Sequence, residues 1–270
     1  MEIEGITQIL KSREITTPKQ IREIISSLNG MVMIPCLIMR QGSILYRARI
    51  IENINEICDI SDLSYTPSCY NKTYKRASTP NNTMFYGISG DSHTNMVCGC
   101  LGEVCDCFRV CSAPHKHYKI VIGVWETLKD FTLPQIINPD GNNKSDAFSN
   151  SSEYLYYLTA LGNDAPKICD FQRLINYEFT KQVESEEGYW ISAIFTEWIL
   201  SKSQTYDGII YESVQSIDAK LTNNHCVAIK PQVADEYLQF NEALLLEFDF
   251  TGLELRLPKL RSIKIPSVKQ

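Results

Sequence analysis

Two apolar segments, far apart in the chain, carry polar residues that are suited to binding or catalysis. Residues 45–50 read Leu-Tyr-Arg-Ala-Arg-Ile, and residues 206–214 read Tyr-Asp-Gly-Ile-Ile-Tyr-Glu-Ser-Val. Both patterns predict strands, on which side chains alternate between two faces, so Arg47 and Arg49 share one face. An arginine or serine within such a strand is either satisfied by a neighbouring group or presented to a ligand.

Two more polar residues stand between these strands in apolar or turn contexts. Arg76 precedes a turn and a strand containing Tyr86, and Glu103 follows a run of small residues. Taken singly, Tyr86 is typical of a core residue and Glu103 of a surface residue. Arginine suits the binding of anions because its forked N–H donors match carboxylate and phosphate oxygens. A fixed carboxylate can stabilise positive charge that develops in a transition state.

Composition favours a small molecule or a protein as the partner. The chain has 270 residues, 44% of them hydrophobic, and a net charge of −6. This acidic balance argues against a nucleic-acid partner, which usually requires a basic surface. The first residues are acidic, unlike a signal peptide, and the apolar run 31–39 is too short to cross a bilayer. The sequence therefore predicts a cytoplasmic protein without a membrane partner.

Ten cysteines in a chain without an export signal predict reduced thiols rather than disulfides. Five lie in residues 98–111, followed closely by His115 and His117. A zinc-stabilised interaction module is one alternative, but the CxC spacing differs from the CxxC pairs of structural zinc sites. The other is a segment of small buried thiols, and we predict no metal.

Hydrophobic periodicity predicts an α+β fold, with mixed central sheets and flanking helices. Thr17 and Pro18 are typical of a helix N-terminus. Segments 31–39 and 43–51 are predicted to pair as a hairpin across residues 40–42. The chain contains no GxGxxG, GxxxxGK[ST], HExxH or GxSxG motif. The remaining predicted elements are strands at 83–88, 118–125, 207–214 and 226–229, and helices at 91–107, 152–161, 170–181 and 189–202.

In its ordered motifs the chain resembles the RES-domain family, which is named for Arg, Glu and Ser. The resemblance covers roughly residues 43–235 and implies an N-terminal extension (1–40), a RES domain (41–235) and a C-terminal extension (236–270). It rests on Tyr46-Arg47, Arg76-Ala77-x-x-Pro80, Phe85-Tyr86, Glu103, Tyr189 and its following helix with Glu197, Tyr206-Asp207-Gly208-Ile209-Ile210-Tyr211-x-Ser213, and Cys226-Val227-Ala228-Ile229-Lys230-Pro231.

The resemblance implies a fold related to ADP-ribosyltransferase toxins and an NAD-consuming activity. We expect an NAD glycohydrolase that depletes cellular NAD as a toxin or an antiviral defence effector, with NAD as substrate and no cofactor. Transfer of ADP-ribose to a protein and phosphorolysis of NAD are the alternatives. A protein antitoxin or regulatory partner is expected, and a homo-oligomer is left open. The implied residues are Arg47, Glu103 and Ser213 for catalysis and Tyr46, Arg76 and Tyr86 for substrate binding.

The chain departs from the family pattern at three places. The interval between Tyr86 and the glutamate is longer than usual, so Asp91 is an alternative to Glu103. Ser78 stands where the family usually has asparagine. Glu212 replaces the proline before Ser213 and predicts a second carboxylate near the site.

Overall fold

The computed structural model of the chain describes residues 2–12, 14–15, 17–28, 31–32, 34–105, 116–140, 152–213, 224–250 and 260–265. Its helices are α1 (Ile3–Ser12), α2 (Pro18–Ser26), α3 (His93–Val104), α4 (Ser152–Leu161), α5 (Ala165–Thr180), α6 (Trp190–Leu200) and α7 (Pro231–Tyr237). Its strands are β1 (Cys36–Met39), β2 (Ile44–Ile51), β3 (Phe85–Ser89), β4 (Lys116–Thr127), β5 (Phe131–Pro134), β6 (Gly208–Glu212), β7 (His225–Ile229), β8 (Leu238–Phe250) and β9 (Arg261–Ile263).

Seven strands form a central sheet in the order β6-β7-β3-β2-β4-β8-β9, and β1 and β5 form a separate two-stranded sheet. Each neighbouring pair is antiparallel. Helices and strands are mixed along the chain, which confirms the α+β prediction. The finer likeness to ADP-ribosyltransferases stays a prediction.

The predicted hairpin between 31–39 and 43–51 is wrong. Strand β1 pairs instead with β5, so that Met39 lies opposite Phe131. Strand β2 already has β3 on one side and β4 on the other, which leaves no edge for β1. The turn at 40–42 therefore joins two sheets, and Gly42 donates its backbone N–H to the carbonyl of Thr127.

The central sheet is buried on both faces. Along β4, Tyr118, Ile120 and Ile122 pack in the cluster that includes the buried faces of α1, α2, α5 and α6. Val121 and Trp125 belong to the opposite cluster, with residues of β1, β5 and α7. Each such side chain contributes roughly 1.5–3 kcal/mol through its removal from water. This two-sided burial fixes the strand register, since a one-residue slip would exchange the faces.

The two N-terminal helices pack on this framework. Helix α2 begins at the predicted cap, where Thr17 and Gln20 form a reciprocal capping box. Helix α1 was not predicted; it buries Ile6 and Leu10, and its Lys11 forms an ion pair with Asp170 of α5.

Strand β8 lies within the predicted C-terminal extension. It pairs with β4 from Leu238 opposite Thr127 to Phe250 opposite Lys116, with one shift of register. Its apolar residues therefore cover the core rather than an outer surface. Among the described helices, none combines the length and the apolar character needed to cross a bilayer.

Candidate functional site

The central sheet opens between β2 and β3. These two strands pair at a single position, where Tyr46 lies opposite Ile88. Beyond that position β2 continues its ladder with β4, and β3 continues its ladder with β7. The separation leaves space beside Arg47 and Tyr86 that a continuous ladder would fill.

A cavity of about 680 Å³ lies at this opening, within the range of typical small-molecule sites. Its wall is drawn from β2, β3, α3, β6, β7, the turn at 75–76 and the connection between α5 and α6. Five of the six residues predicted for the site line it: Tyr46, Arg47, Arg76, Tyr86 and Glu103.

Arg47 is held in the gap between the separated strands. Its Nε donates to the carbonyl of Ser64 at 2.9 Å and its Nη1 to the carbonyl of Tyr86 at 2.8 Å. The guanidinium lies over the Phe85 ring, 5.5 Å from the centroid. Burial lowers the pKa of Arg47 to about 10, so the group is cationic at neutral pH. Anchoring through two of its nitrogens orients the guanidinium before any ligand binds.

Arg76 is fixed by the C-terminal end of α5, whose last carbonyls have no partners within the helix. Its Nη1 donates to the carbonyl of Phe179 at 2.5 Å, and its Nη2 donates to that of Lys181 at 3.2 Å. The guanidinium also lies over the Tyr189 ring, 5.4 Å from the centroid. Arg76 thus has a structural role as well as a place in the cavity wall.

Glu103 joins three elements of the cavity. It lies near the end of α3, and its Oε1 accepts a hydrogen bond of 2.7 Å from Oγ of Ser213, which follows β6. The same oxygen accepts a 3.5 Å hydrogen bond from Sγ of Cys226 in β7. Ser213 is fully buried. The two donors fix Glu103 Oε1 against the sheet, so Ser213 supports a carboxylate rather than standing alone.

Cys226 is a donor in this cluster and not a nucleophile. Burial, and secondly the nearby Glu103 carboxylate, raises the pKa of the Cys226 thiol well above its ordinary value. A thiol of this kind stays protonated at neutral pH and is unreactive.

The hydroxyl groups of both predicted tyrosines form hydrogen bonds within the protein. Tyr86 accepts a hydrogen bond from the Ala77 backbone N–H at 3.1 Å and shares one with Oγ of Ser78 at 2.7 Å. Burial raises the pKa of Tyr86 to about 12, so it is neutral. Ser78 therefore positions Tyr86. Tyr46 forms a short hydrogen bond with Nδ1 of His93.

Three other acidic residues considered from the sequence do not line the cavity. Asp91 is exposed before α3 and accepts from the Asn95 side chain at 2.8 Å. Glu212 is buried, with its Oε2 3.5 Å from Nδ2 of Asn176 in α5. Glu197 of α6 forms an ion pair with Arg22. Glu103 is therefore the carboxylate that meets Ser213.

Several cavity residues were not predicted as site residues. Lysine and tyrosine occur throughout the chain, so the sequence alone does not indicate which of them belong to a site. Lys75 is the one that directly precedes a predicted site residue, Arg76. Lys181 is already neutralised by Glu178, whose Oε2 lies 2.5 Å from its Nζ. The additional residues include Lys75, Cys100, Lys181, Tyr189 and Tyr211.

The cysteine cluster is described only in part. Cys98 and Cys100 lie on α3 and Cys105 caps its end, whereas Cys107, Cys111 and His115 lie outside the described residues. In the part of the chain that the structure covers, no group of three or more His, Cys, Asp or Glu side chains is arranged to hold a metal ion. Within the described residues, Cys98, Cys100 and Cys226 form no disulfide bond.

A larger groove of about 1470 Å³ shares Arg47 and Ala48 with the cavity. It is bordered by Arg49, by residues of the 59–70 loop and by Trp125, which belongs to the second apolar cluster. Arg47 therefore separates two concave surfaces.

Comparisons with known proteins give no family assignment. No protein-family model matches the chain, and no curated protein matches it. The resemblance to the RES-domain family stays a prediction.

Proposed function

We propose that the protein is an NAD glycohydrolase, which cleaves the bond between nicotinamide and ribose to give nicotinamide and ADP-ribose. The observation that carries the proposal is the meeting of two anchored arginines and a hydrogen-bonded glutamate around one cavity. These residues are distant in sequence and are the ones that the ordered motifs single out.

The chemistry of NAD accounts for the residue types. The nicotinamide nitrogen is cationic in NAD, so cleavage releases a neutral leaving group and needs no general acid. Positive charge develops on the ribose as the bond breaks, as in glycoside cleavage. A carboxylate fixed beside that carbon stabilises the charge and orients the attacking water. The water oxygen forms the new bond to the ribose and its proton is released.

Each side chain has a distinct part in this scheme. Glu103 supplies the carboxylate, and Ser213 positions it through the 2.7 Å hydrogen bond. Arg47 and Arg76 attract the pyrophosphate through their positive charge. They also bind it through the guanidinium N–H groups that are not used in hydrogen bonds to backbone carbonyls. Tyr46 and Tyr86 supply aromatic walls for a base or the nicotinamide ring.

The decisive experiment identifies the products formed from NAD. Purified protein is incubated with NAD carrying a label in its adenylate part, and products are separated and weighed by mass spectrometry. We expect free nicotinamide and free ADP-ribose in equal amounts. Label on a protein identifies a transferase, and phosphorylated ADP-ribose formed only with added phosphate identifies a phosphorylase. Intact NAD, with the protein folded, contradicts all three activities.

A further inference from the structure

Lys75 lies in the wall of the cavity beside the two arginines. Its backbone is fixed by a tight turn, in which Lys75 N–H donates to the Ser78 carbonyl at 2.8 Å and Ser78 N–H donates back at 3.2 Å. The next residue, Arg76, is anchored to the end of α5. The turn therefore presents the Lys75 side chain from a rigid base, although the side chain itself reaches solvent.

No carboxylate in the described part of the chain forms an ion pair with Lys75. Among the described residues, no Asp or Glu lies within ion-pair distance of Lys75, Arg47 or Arg76. Lys181, on the same wall, differs because Glu178 neutralises it. Burial, and secondly the charge of Arg47, lowers the pKa of Lys75. Cations brought together in this way repel one another, and an anionic ligand would relieve that repulsion.

We propose that Lys75 is a further phosphate-binding residue, and that with Arg47 and Arg76 it makes the cavity selective for nucleotides carrying a diphosphate. This inference rests on the proposed function and extends it. A nucleoside without phosphate, such as nicotinamide riboside, presents the same scissile bond but offers no anion to these three cations. The diphosphate of NAD supplies such an anion.

The test compares Lys75→Ala, Lys75→Arg and the matched control Lys72→Ala. Lys72 is in the same loop, but its Nζ donates to Asn81 Oδ1 at 3.0 Å. For Lys75→Ala we expect KM for NAD to rise about tenfold with kcat unchanged, the loss of one charged hydrogen bond. Lys75→Arg should restore KM, and added salt should narrow the difference. With nicotinamide riboside, wild type and Lys75→Ala should have equal kcat/KM. Equal KM values for NAD in wild type and Lys75→Ala would overturn the proposal.

Measuring the affinity for ADP by calorimetry tests the role of Lys75 independently of NAD cleavage. If the wild type leaves NAD intact, the glycohydrolase proposal fails, but ADP still probes the phosphate site. Binding to wild type that weakens about tenfold in Lys75→Ala, and not in Lys72→Ala, upholds the role of Lys75. ADP affinity that is unchanged in Lys75→Ala, or ADP binding absent from the wild type, overturns it.

Discussion

The two concave surfaces beside Arg47 differ in how their charges are balanced. The groove is about 1470 Å³ and the cavity about 680 Å³. In the groove Arg49 lies 3.8 Å from an oxygen of Asp62, and Asp235 accepts a hydrogen bond from Tyr65 at 2.7 Å. Arg47, Lys75, Arg76 and Glu103 all line the cavity, and no carboxylate among the described residues forms an ion pair with the three cations.

The proposed site is therefore chosen by its charged residues and not by volume. In the groove, Arg49 already lies beside the Asp62 carboxylate, so an anionic ligand there would compete with a contact already made. In the cavity, Lys75 and Arg76 lie together with the hydrogen-bonded Glu103, an arrangement that suits the proposed anionic substrate. The cavity, and not the groove, is therefore the proposed site.

Glu103→Gln should have the largest effect on NAD cleavage. The amide keeps the size of the side chain but removes the charge that stabilises the ribose cation, so we expect kcat to fall about 10²–10⁴-fold. The rate of nicotinamide release measures activity, and circular dichroism checks that each variant is folded. Asp235→Asn makes the same change in the groove and should leave kcat unaltered. Equal losses in both variants would remove the distinction between the two surfaces.

Arg47→Lys should reduce both activity and stability. A lysine cannot reach both the Ser64 and Tyr86 carbonyls in the geometry of the guanidinium fork, so one acceptor loses its partner. We expect a loss of about 1–3 kcal/mol in the free energy of unfolding, measured with urea, and a rise in KM of about tenfold. The control is Arg49→Lys, two residues along the same strand, which should change neither quantity comparably. A larger effect at Arg49 would place the important arginine in the groove.

Ser213→Ala should lower kcat about tenfold while KM for NAD stays nearly constant. The change removes one donor to Glu103 Oε1 and leaves the Cys226 thiol in place, so the carboxylate loses part of its fixed orientation. Steady-state kinetics separates the two parameters. Ser213→Thr keeps a hydroxyl and therefore tests whether the donor matters. If Ser213→Ala and Ser213→Thr both lose activity and both lose their fold, the role of Ser213 is purely structural.

The smallest effect concerns alkaline stability. Burial raises the pKa of Tyr86 to about 12, whereas an unfolded tyrosine titrates near about 10. Between these values the unfolded chain binds fewer protons than the folded chain, so stability falls as pH rises from about 10 to 12. Tyr86→Phe should lessen this slope in urea titrations at several pH values. Tyr65→Phe, in the groove, should reduce the pH dependence of stability by a smaller amount, because Tyr65 lies nearer to solvent. The reverse order would contradict the assigned burial.

The sequence predicted local features of the fold better than distant pairings. The cap at Thr17 acts over a few residues, and it was confirmed. The hairpin prediction failed because β1 finds its partner in β5, across a long stretch of chain that local pattern does not describe. Strand β8 was not predicted, since its register depends on β4, which lies far away in the chain.

The same limit applies to the site. The predicted residues were selected by their order, and five of them line one cavity. Lys75 was not selected, because a lysine becomes informative only when the charges around it are known. The backbone anchors of Arg47 and Arg76 were also beyond prediction, since a carbonyl carries no signal in the amino-acid sequence.

Hydrogen–deuterium exchange with and without ADP-ribose tests the central claim most directly, because it locates the ligand without requiring turnover. We expect slower exchange in the segments that line the cavity, 75–88 and 181–189, with no change in 59–67 and 234–238 of the groove. Protection confined to the groove segments would contradict it.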